Sequence, residues 1–253
     1  MIRLSIIGSG NVAQHLIQAF SKSAEIELVQ VFARKPNDLA HLFSNGKITD
    51  DLAALKLVDV TILAVTDDAI ANISAELAFQ NQLVAHTSGS FAMEALNDRN
   101  RKGVFYPLQT FSKLTEVDFK GIPICLEAES YNDLKLLERV AHSISDSVHN
   151  ISSEQRKALH VAAVFVSNFT NHLYHIGNEI CEENHLSFDI LKPLIQETAN
   201  KILSLPPAKV QTGPAVRKDT QTINAHLHFL TDENQKEIYK MLTKSIIDNG
   251  KKL

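Results

Sequence analysis

Apolar and polar positions follow one rule in the first 150 residues and another afterwards. Short β-branched runs at 3–7, 28–32, 58–64, 83–86, 103–106, 122–126 and 147–150 predict strands. Several are apolar almost throughout, which suits parallel strands covered on both faces. Helical patterns at 12–21, 37–43, 68–77 and 131–143 lie between them. Strand alternating with helix implies right-handed crossovers and a doubly wound α/β sheet.

Beyond residue 150 the period changes. Residues 154–183 read as one long helix and 188–203 as a second, followed by a break at Pro206-Pro207 and a turn at Gly213-Pro214. Two more helical stretches, 220–229 and 232–247, complete the chain, and no internal repeat is visible. The pattern predicts a domain built on a doubly wound, nucleotide-type sheet over 1–150 and an all-helical domain over 151–253. An all-helical half after such a sheet commonly forms the substrate side of a cleft and a dimer interface.

Composition narrows the function. The 253 residues are 44% apolar and 21% charged, which is ordinary globular usage and excludes disordered and fibrous classes. Twenty-five Lys and Arg against twenty-nine Asp and Glu leave a net charge of −4, without the basic excess that binding nucleic acid requires. The apolar run 2–7 is too short for a signal sequence, and no run approaches the roughly 18 apolar residues that span a bilayer. A soluble cytoplasmic protein is expected. Cys125 and Cys181 stand outside any metal or disulfide spacing and read as buried thiols.

The first strand runs into Gly8-Ser9-Gly10-Asn11-Val12-Ala13, a GxGxxA that opens the first helical pattern. A first Gly permits the tight turn, a second admits a pyrophosphate, and a small third residue lets helix pack on strand. Free amides and the positive helix end then meet the diphosphate; the alternative is a Gly-rich turn without a ligand. A carboxylate at the end of strand two would select NAD. Here that strand ends in Ala33-Arg34-Lys35, two cations suited to a 2′-phosphate, so NADP is the expected cofactor. A solvated loop pair is the other reading of Arg34 and Lys35. Val65 and Thr66, at the end of the third strand, are expected along the cofactor's adenosine or ribose. Asp67 and Asp68 look like paired acids, but they stand where an N-cap and first helical turn belong.

The segments IIGSGNVAQHL, AVTDDAI, HTSGS, YPLQTFS, ALHVAAVFVSNFTNHL and TGPAVRKD resemble, over nearly the whole chain, a family of NADP oxidoreductases. In that family a Rossmann-like half precedes a helical domain of unknown function. Wider relatives by resemblance include pyrroline-5-carboxylate reductase, β-hydroxyacid dehydrogenases, ketopantoate reductase and deazaflavin-dependent NADP reductases. The resemblance implies the fold, the NADP cofactor and a homodimer, but no substrate. Members often carry His before the Pro of the YPLQTFS motif, where this chain has Tyr106. A phenol is the poorer proton shuttle near neutrality, which weakens acid/base work at that position. In the related dehydrogenases a comparable Gly-Ser loop lies near the nicotinamide, which places Thr87, Ser88, Gly89 and Ser90 there; a Ser-rich turn is the alternative. His86 reads equally as a core histidine or a site residue.

On the helix from 154, the polar residues Lys157, His160, Ser167, Asn168 and Asn171 interrupt an apolar run. At roughly 100° per residue, Lys157 and Asn168 project within about 20° of each other, as do His160 and Asn171. Buried polar groups need partners, and a nicotinamide cleft would supply them. Lys157 and His160 are the candidate proton donors and Asn168 the candidate orienting group, although Lys157 near the helix start reads also as solvated. Arg217, in a loop after Gly213-Pro214, is a candidate for a substrate carboxylate or a partner subunit. His226 and His228 do not share a helix face, and His172 with His175 lacks a third ligand, so no metal site is expected. These readings converge on an NADP(H)-dependent oxidoreductase of a small, carboxylate-bearing carbonyl or imine compound, with ketopantoate the most concrete substrate among relatives. The alternatives are a non-catalytic NADP-binding sensor or assembly protein, and a site for flavin adenine dinucleotide.

Overall fold

The structure is a computed structural model that describes residues 1–42, 47–112 and 115–249. Its strands are β1 (Ile2–Ile7), β2 (Ile26–Phe32), β3 (Ile48–Thr49), β4 (Val60–Leu63), β5 (Leu83–His86), β6 (Arg101–Pro107), β7 (Ile124–Ala128) and β8 (Val148–Asn150). They form one sheet in the order β3-β2-β1-β4-β5-β6-β7-β8. Neighbours run parallel except β6 and β7, which pair antiparallel with Tyr106 opposite Cys125. A parallel return needs a crossover helix. The described part of the β6–β7 connection holds only a 3₁₀ turn at Phe119–Gly121, and the chain doubles straight back.

Helices α1 (Asn11–Lys22), α2 (Asp67–Glu76) and α3 (Tyr131–His142) cover the sheet. Two cores result. Leu4 and Ile6 of β1 pack with Leu16, Ile17 and Phe20 of α1, while Ile7 and Leu63 pack with Ile70 of α2 on the other side. Burial on both faces explains why these strands are continuously apolar rather than alternating.

Two predicted elements come out differently, and one strand was not predicted. The helix expected over 37–43 is a 3₁₀ turn at Pro36–Asp38 followed by irregular turns, and Phe43 lies outside the described residues. The two-residue strand β3 is too short to leave a period. The long helix is continuous but not uniform: α4 (Ser153–Ala163) passes through a π-helical turn, Val164–Phe169, into α5 (Thr170–Glu183). That run is rich in β-branched and aromatic residues, which are poor helix formers.

The remaining helices are α6 (Lys192–Ser204), preceded by a 3₁₀ turn at Phe188–Leu191, then α7 (Pro207–Val210), α8 (Pro214–Arg217), α9 (Thr220–Phe229) and α10 (Glu233–Asn249). Strands end at Asn150, whereas the chain divides into two compact units at Met1–Ser167 and Asn168–Leu253. Helix α4 therefore folds with the sheet. Among the described residues, no helix is long and apolar enough to cross a membrane.

Candidate cofactor and catalytic site

The tip of β1 sits where the strand order reverses, between β2 and β4. The Gly8 amide donates to the carbonyl of Phe32 (2.9 Å) and the Ala64 amide to that of Ile7 (2.8 Å). Gly8 has φ +136°, and a Cβ there would lie 2.1 Å from the Ala64 carbonyl oxygen, so this turn requires glycine. Ala13 is buried beside it, which fixes the small third position. Gly10 is the N-cap of α1, and a Cβ on it would meet nothing within 4 Å. With no capping side chain and no acid in the first turn, the amides of that turn face an open, positively polarised surface. These features fit a diphosphate. The Asn11 side chain is used locally, donating to the Phe111 carbonyl (2.8 Å), and Gln14 donates to that of Ser9 (2.8 Å).

At the end of β2, Ala33 is buried while Arg34 and Lys35 are exposed. Neither cation makes an ion pair among the described residues. Val65 is half-buried on the second core and Thr66 is exposed as the N-cap of α2, without a side-chain capping bond. Asp67 and Asp68 fill the first turn instead of the cap expected of them. Asp67 has a specific partner, accepting the Ser90 hydroxyl (2.6 Å).

The loop after β5 is a serine turn. Ser88 Oγ accepts the amides of Ser90 (3.1 Å) and Phe91 (2.9 Å), and the Thr87 amide donates to the Leu63 carbonyl (3.1 Å). The hydroxyls of Ser88 and Ser90 thus hold the loop. Gly89 is buried against two rings: a Cβ on it would stand 2.5 Å from Nδ1 of His160 and 2.8 Å from Cζ of Tyr106. Those two side chains meet, Tyr106 Oη to His160 Nδ1, at 3.1 Å.

His86 is fully buried, its Nδ1 accepting the Ser88 amide (3.1 Å) and its Nε2 without a partner. Burial first, and then the charge of Arg156, lower its pKa from 6.5 to about 3, so it stays neutral. Burial likewise raises the Tyr106 phenol above its ordinary value.

Arg156 is the group that sequence reading missed. It is 1% exposed, pairs with Glu127 of β7, and donates to the Phe91 carbonyl (2.7 Å) and Ser153 hydroxyl (3.0 Å). It ties α4 to the sheet and to the serine turn. A capping box sets the phase of α4: Ser152 Oγ accepts the Gln155 amide, and Gln155 Oε1 accepts that of Ser152. Read from that cap, Arg156 and His160 share the inward face and Lys157 is turned outward.

Lys157 is exposed, at an open hollow of about 500 Å³ lined also by Ser90, Ala92, Ser153 and Val161. Asn168 is exposed within the π-helical turn, in the other compact unit. A π turn bonds i to i+5, so the 3.6-residue phase that aligned Lys157 with Asn168 and His160 with Asn171 is interrupted. Arg217 ends the one-turn helix α8 and is exposed. In the same unit, His226 Nδ1 meets Tyr239 Oη (2.8 Å) and His175 approaches Glu179 (3.3 Å). Among the described residues no three His, Cys, Asp or Glu gather as a metal site. Cys125 and Cys181 are buried and free.

Comparison with known proteins agrees with this geometry. Residues 3–88 match the family model described as NADP oxidoreductase coenzyme F420-dependent, and residues 122–246 match a domain of unknown function, DUF2520. No curated protein matches. A crystal structure described as a putative NADP oxidoreductase from Bacteroides fragilis is 39% identical over 98% of both chains, with a TM-score of 0.88. A protein from Thermotoga maritima is 21% identical over 98% of both chains (TM-score 0.74). An NADP-bound pyrroline carboxylate reductase from Plasmodium falciparum is 14% identical, covering 97% of this chain and 98% of its own (TM-score 0.59). These last two show the fold alone. Likeness to the Bacteroides protein along nearly its whole length means that the chain belongs to the family of NADP oxidoreductases in which a nucleotide-binding sheet is followed by this helical domain.

Proposed function

We propose that the protein catalyses NADP(H)-dependent hydride transfer to or from a small carbonyl or imine compound that carries a carboxylate. The observation that carries this reading is the Tyr106–His160–Gly89 cluster, built at the carboxyl ends of β5 and β6 in the same unit as the bare helix end at Gly10. Ligands of doubly wound sheets bind at the carboxyl ends of the strands.

The amides of Ser9 to Ala13 hold the diphosphate, and Arg34 with Lys35 takes the 2′-phosphate. Val65 and Thr66 lie along the ribose, and the backbone of Thr87, Ser88 and Gly89 borders the nicotinamide. Bound NADPH supplies the hydride. Reduction then leaves negative charge on oxygen or nitrogen, and His160 donates to that atom through Nε2. Lys157, which makes no ion pair among the described residues, is exposed at the open hollow beside Ser90 and is the proposed cation for the substrate carboxylate.

We also assign the helical unit to association with a second copy. Its exposed apolar side chains, among them Ile190, Leu194, Leu203 and Phe229, are more than an isolated soluble unit leaves in water.

NADPH consumption with a panel of 2-oxo acids and cyclic imino acids tests the proposal. His160→Ala is expected to cost about 10²–10⁴-fold with whichever compound turns over. Should NADP raise the melting temperature while no compound of either class is reduced, a sensor role replaces the enzymatic one.

A further inference from the structure

We infer that Tyr106 is a positioning residue that fixes which nitrogen of His160 carries the proton, with Gly89 leaving the space in which the two rings meet. The inference rests on the role proposed above for His160. A neutral imidazole has one donor and one acceptor nitrogen, and the bond made by one decides the state of the other. Tyr106 Oη and His160 Nδ1 stand 3.1 Å apart, which admits either direction of donation.

Burial decides between them. Tyr106 is 9% exposed, and among the described residues its hydroxyl has no hydrogen-bond partner besides His160. If Nδ1 were the donor, the phenol proton would have no acceptor among the described residues, and leaving the hydroxyl of a largely buried side chain unpaired costs about 1–3 kcal/mol. If the phenol donates, both groups are satisfied. The phenol also keeps its proton, because burial raises its pKa. Nδ1 is then the acceptor and the proton resides on Nε2. That nitrogen makes no hydrogen bond among the described residues and is not one of the buried unsatisfied atoms, so it is left to address a ligand.

Gly89 leaves the space that the pairing occupies. Its Cα faces the junction of the two rings, where any added carbon would meet Nδ1 and Cγ of His160 (2.5 and 2.8 Å) and Cζ of Tyr106 (2.8 Å). The ring faces also meet edge-on, with centroids 6.1 Å apart at 68°. A phenol here does the orienting that a carbonyl or carboxylate does for many functional histidines, but with the opposite sense. It donates to the ring rather than accepting from it, so it selects the Nε2–H form directly.

The test is long-range ¹H–¹⁵N NMR on protein carrying ¹⁵N-labelled histidine, at a pH above the ordinary histidine range. Wild-type His160 is expected to show an unprotonated Nδ1 and a protonated Nε2. Tyr106→Phe, which removes only the hydroxyl, is expected to give a mixture of tautomers while the NADP-induced thermal shift persists. Gly89→Ala is expected to disturb the same two nitrogen signals. A protonated Nδ1 in the wild type, or a His160 spectrum unchanged in Tyr106→Phe, overturns the inference. Because the measurement needs no turnover, it is independent of the functional reading: an active His160→Ala variant would remove the catalytic role of His160 and leave the tautomer assignment standing.

Discussion

The sheet unit and the helical unit treat their apolar residues in opposite ways. In the first, strand after strand is buried on both faces, and fully buried Phe20, Phe105, Leu4 and Ile70 fill the space between sheet and helices. In the second, the buried residues are Cys181, Ala215 and Gln235 among those described, while Ile190, Leu194 and Leu203 are 69%, 62% and 83% exposed. The sheet unit closes its own core. The helical unit leaves its apolar faces uncovered among the described residues, and burying one such side chain is worth about 1.5–3 kcal/mol. On the association proposed above, its stability depends on a second copy, whereas the sheet unit's depends on its own packing.

Sedimentation is where this contrast is broken most easily. The wild type is expected to run at twice the chain mass at micromolar concentration, and the Ile190→Lys, Leu194→Lys double variant at the monomer mass. Two lost apolar contacts weaken a dimer by about 10²-fold or more. A monomeric wild type would refute association as the explanation for these exposed side chains.

Acid sharpens the other side. His86 in the folded protein has a pKa of about 3 against 6.5 for an unperturbed histidine. Below pH 6.5 the unfolded chain takes up a proton that the folded chain refuses until pH 3, so stability falls as pH drops through that window. Above pH 6.5 the effect vanishes. The slope is about 1.4 kcal/mol per pH unit, or roughly 5 kcal/mol at the acid end. Urea midpoints measured across the window should show this slope in the wild type and lose it in His86→Gln, which keeps an acceptor for the Ser88 amide. Parallel acid profiles for the two proteins would argue against a buried neutral imidazole.

The smallest effect belongs to the rim of the sheet. Arg34→Ala is expected to weaken NADP binding by about 10–100-fold, as loss of a charged hydrogen bond does, and to leave NAD binding nearly unchanged. Titration of both dinucleotides reads the ratio. Equal losses for the two would assign Arg34 to something other than the 2′-phosphate.

The parts of the fold that were legible in the sequence are those whose signal is local. A strand covered on both faces leaves an unbroken apolar run, as at 83–86, and a capped amphipathic helix leaves a clean period, as at 131–142, where Ser130 accepts the Asp133 amide (3.1 Å). The GxGxxA turn was legible for the same reason, since Gly8 answers to its own φ and its neighbours. What escaped is what depends on partners far along the chain. The antiparallel return at β7 goes with a connection whose described residues hold no crossover helix. The π turn at Val164–Phe169 changes hydrogen bonding without changing composition. The serine hydroxyls at 88 and 90 looked free until the loop and Asp67 claimed them.

By itself, then, the sequence determined the doubly wound sheet, the change to helices after residue 150, and the turn that admits a dinucleotide, because apolar periodicity and the conformational range of glycine act over a few residues. Only the tertiary structure decided that Arg156 is buried and paired with Glu127 while its neighbour Lys157 is in water. It alone brought Tyr106, Gly89 and His160 from three separate segments to one point. Charge burial and hydrogen-bond direction depend on what surrounds a group in space, and adjacency along the chain carries almost none of that.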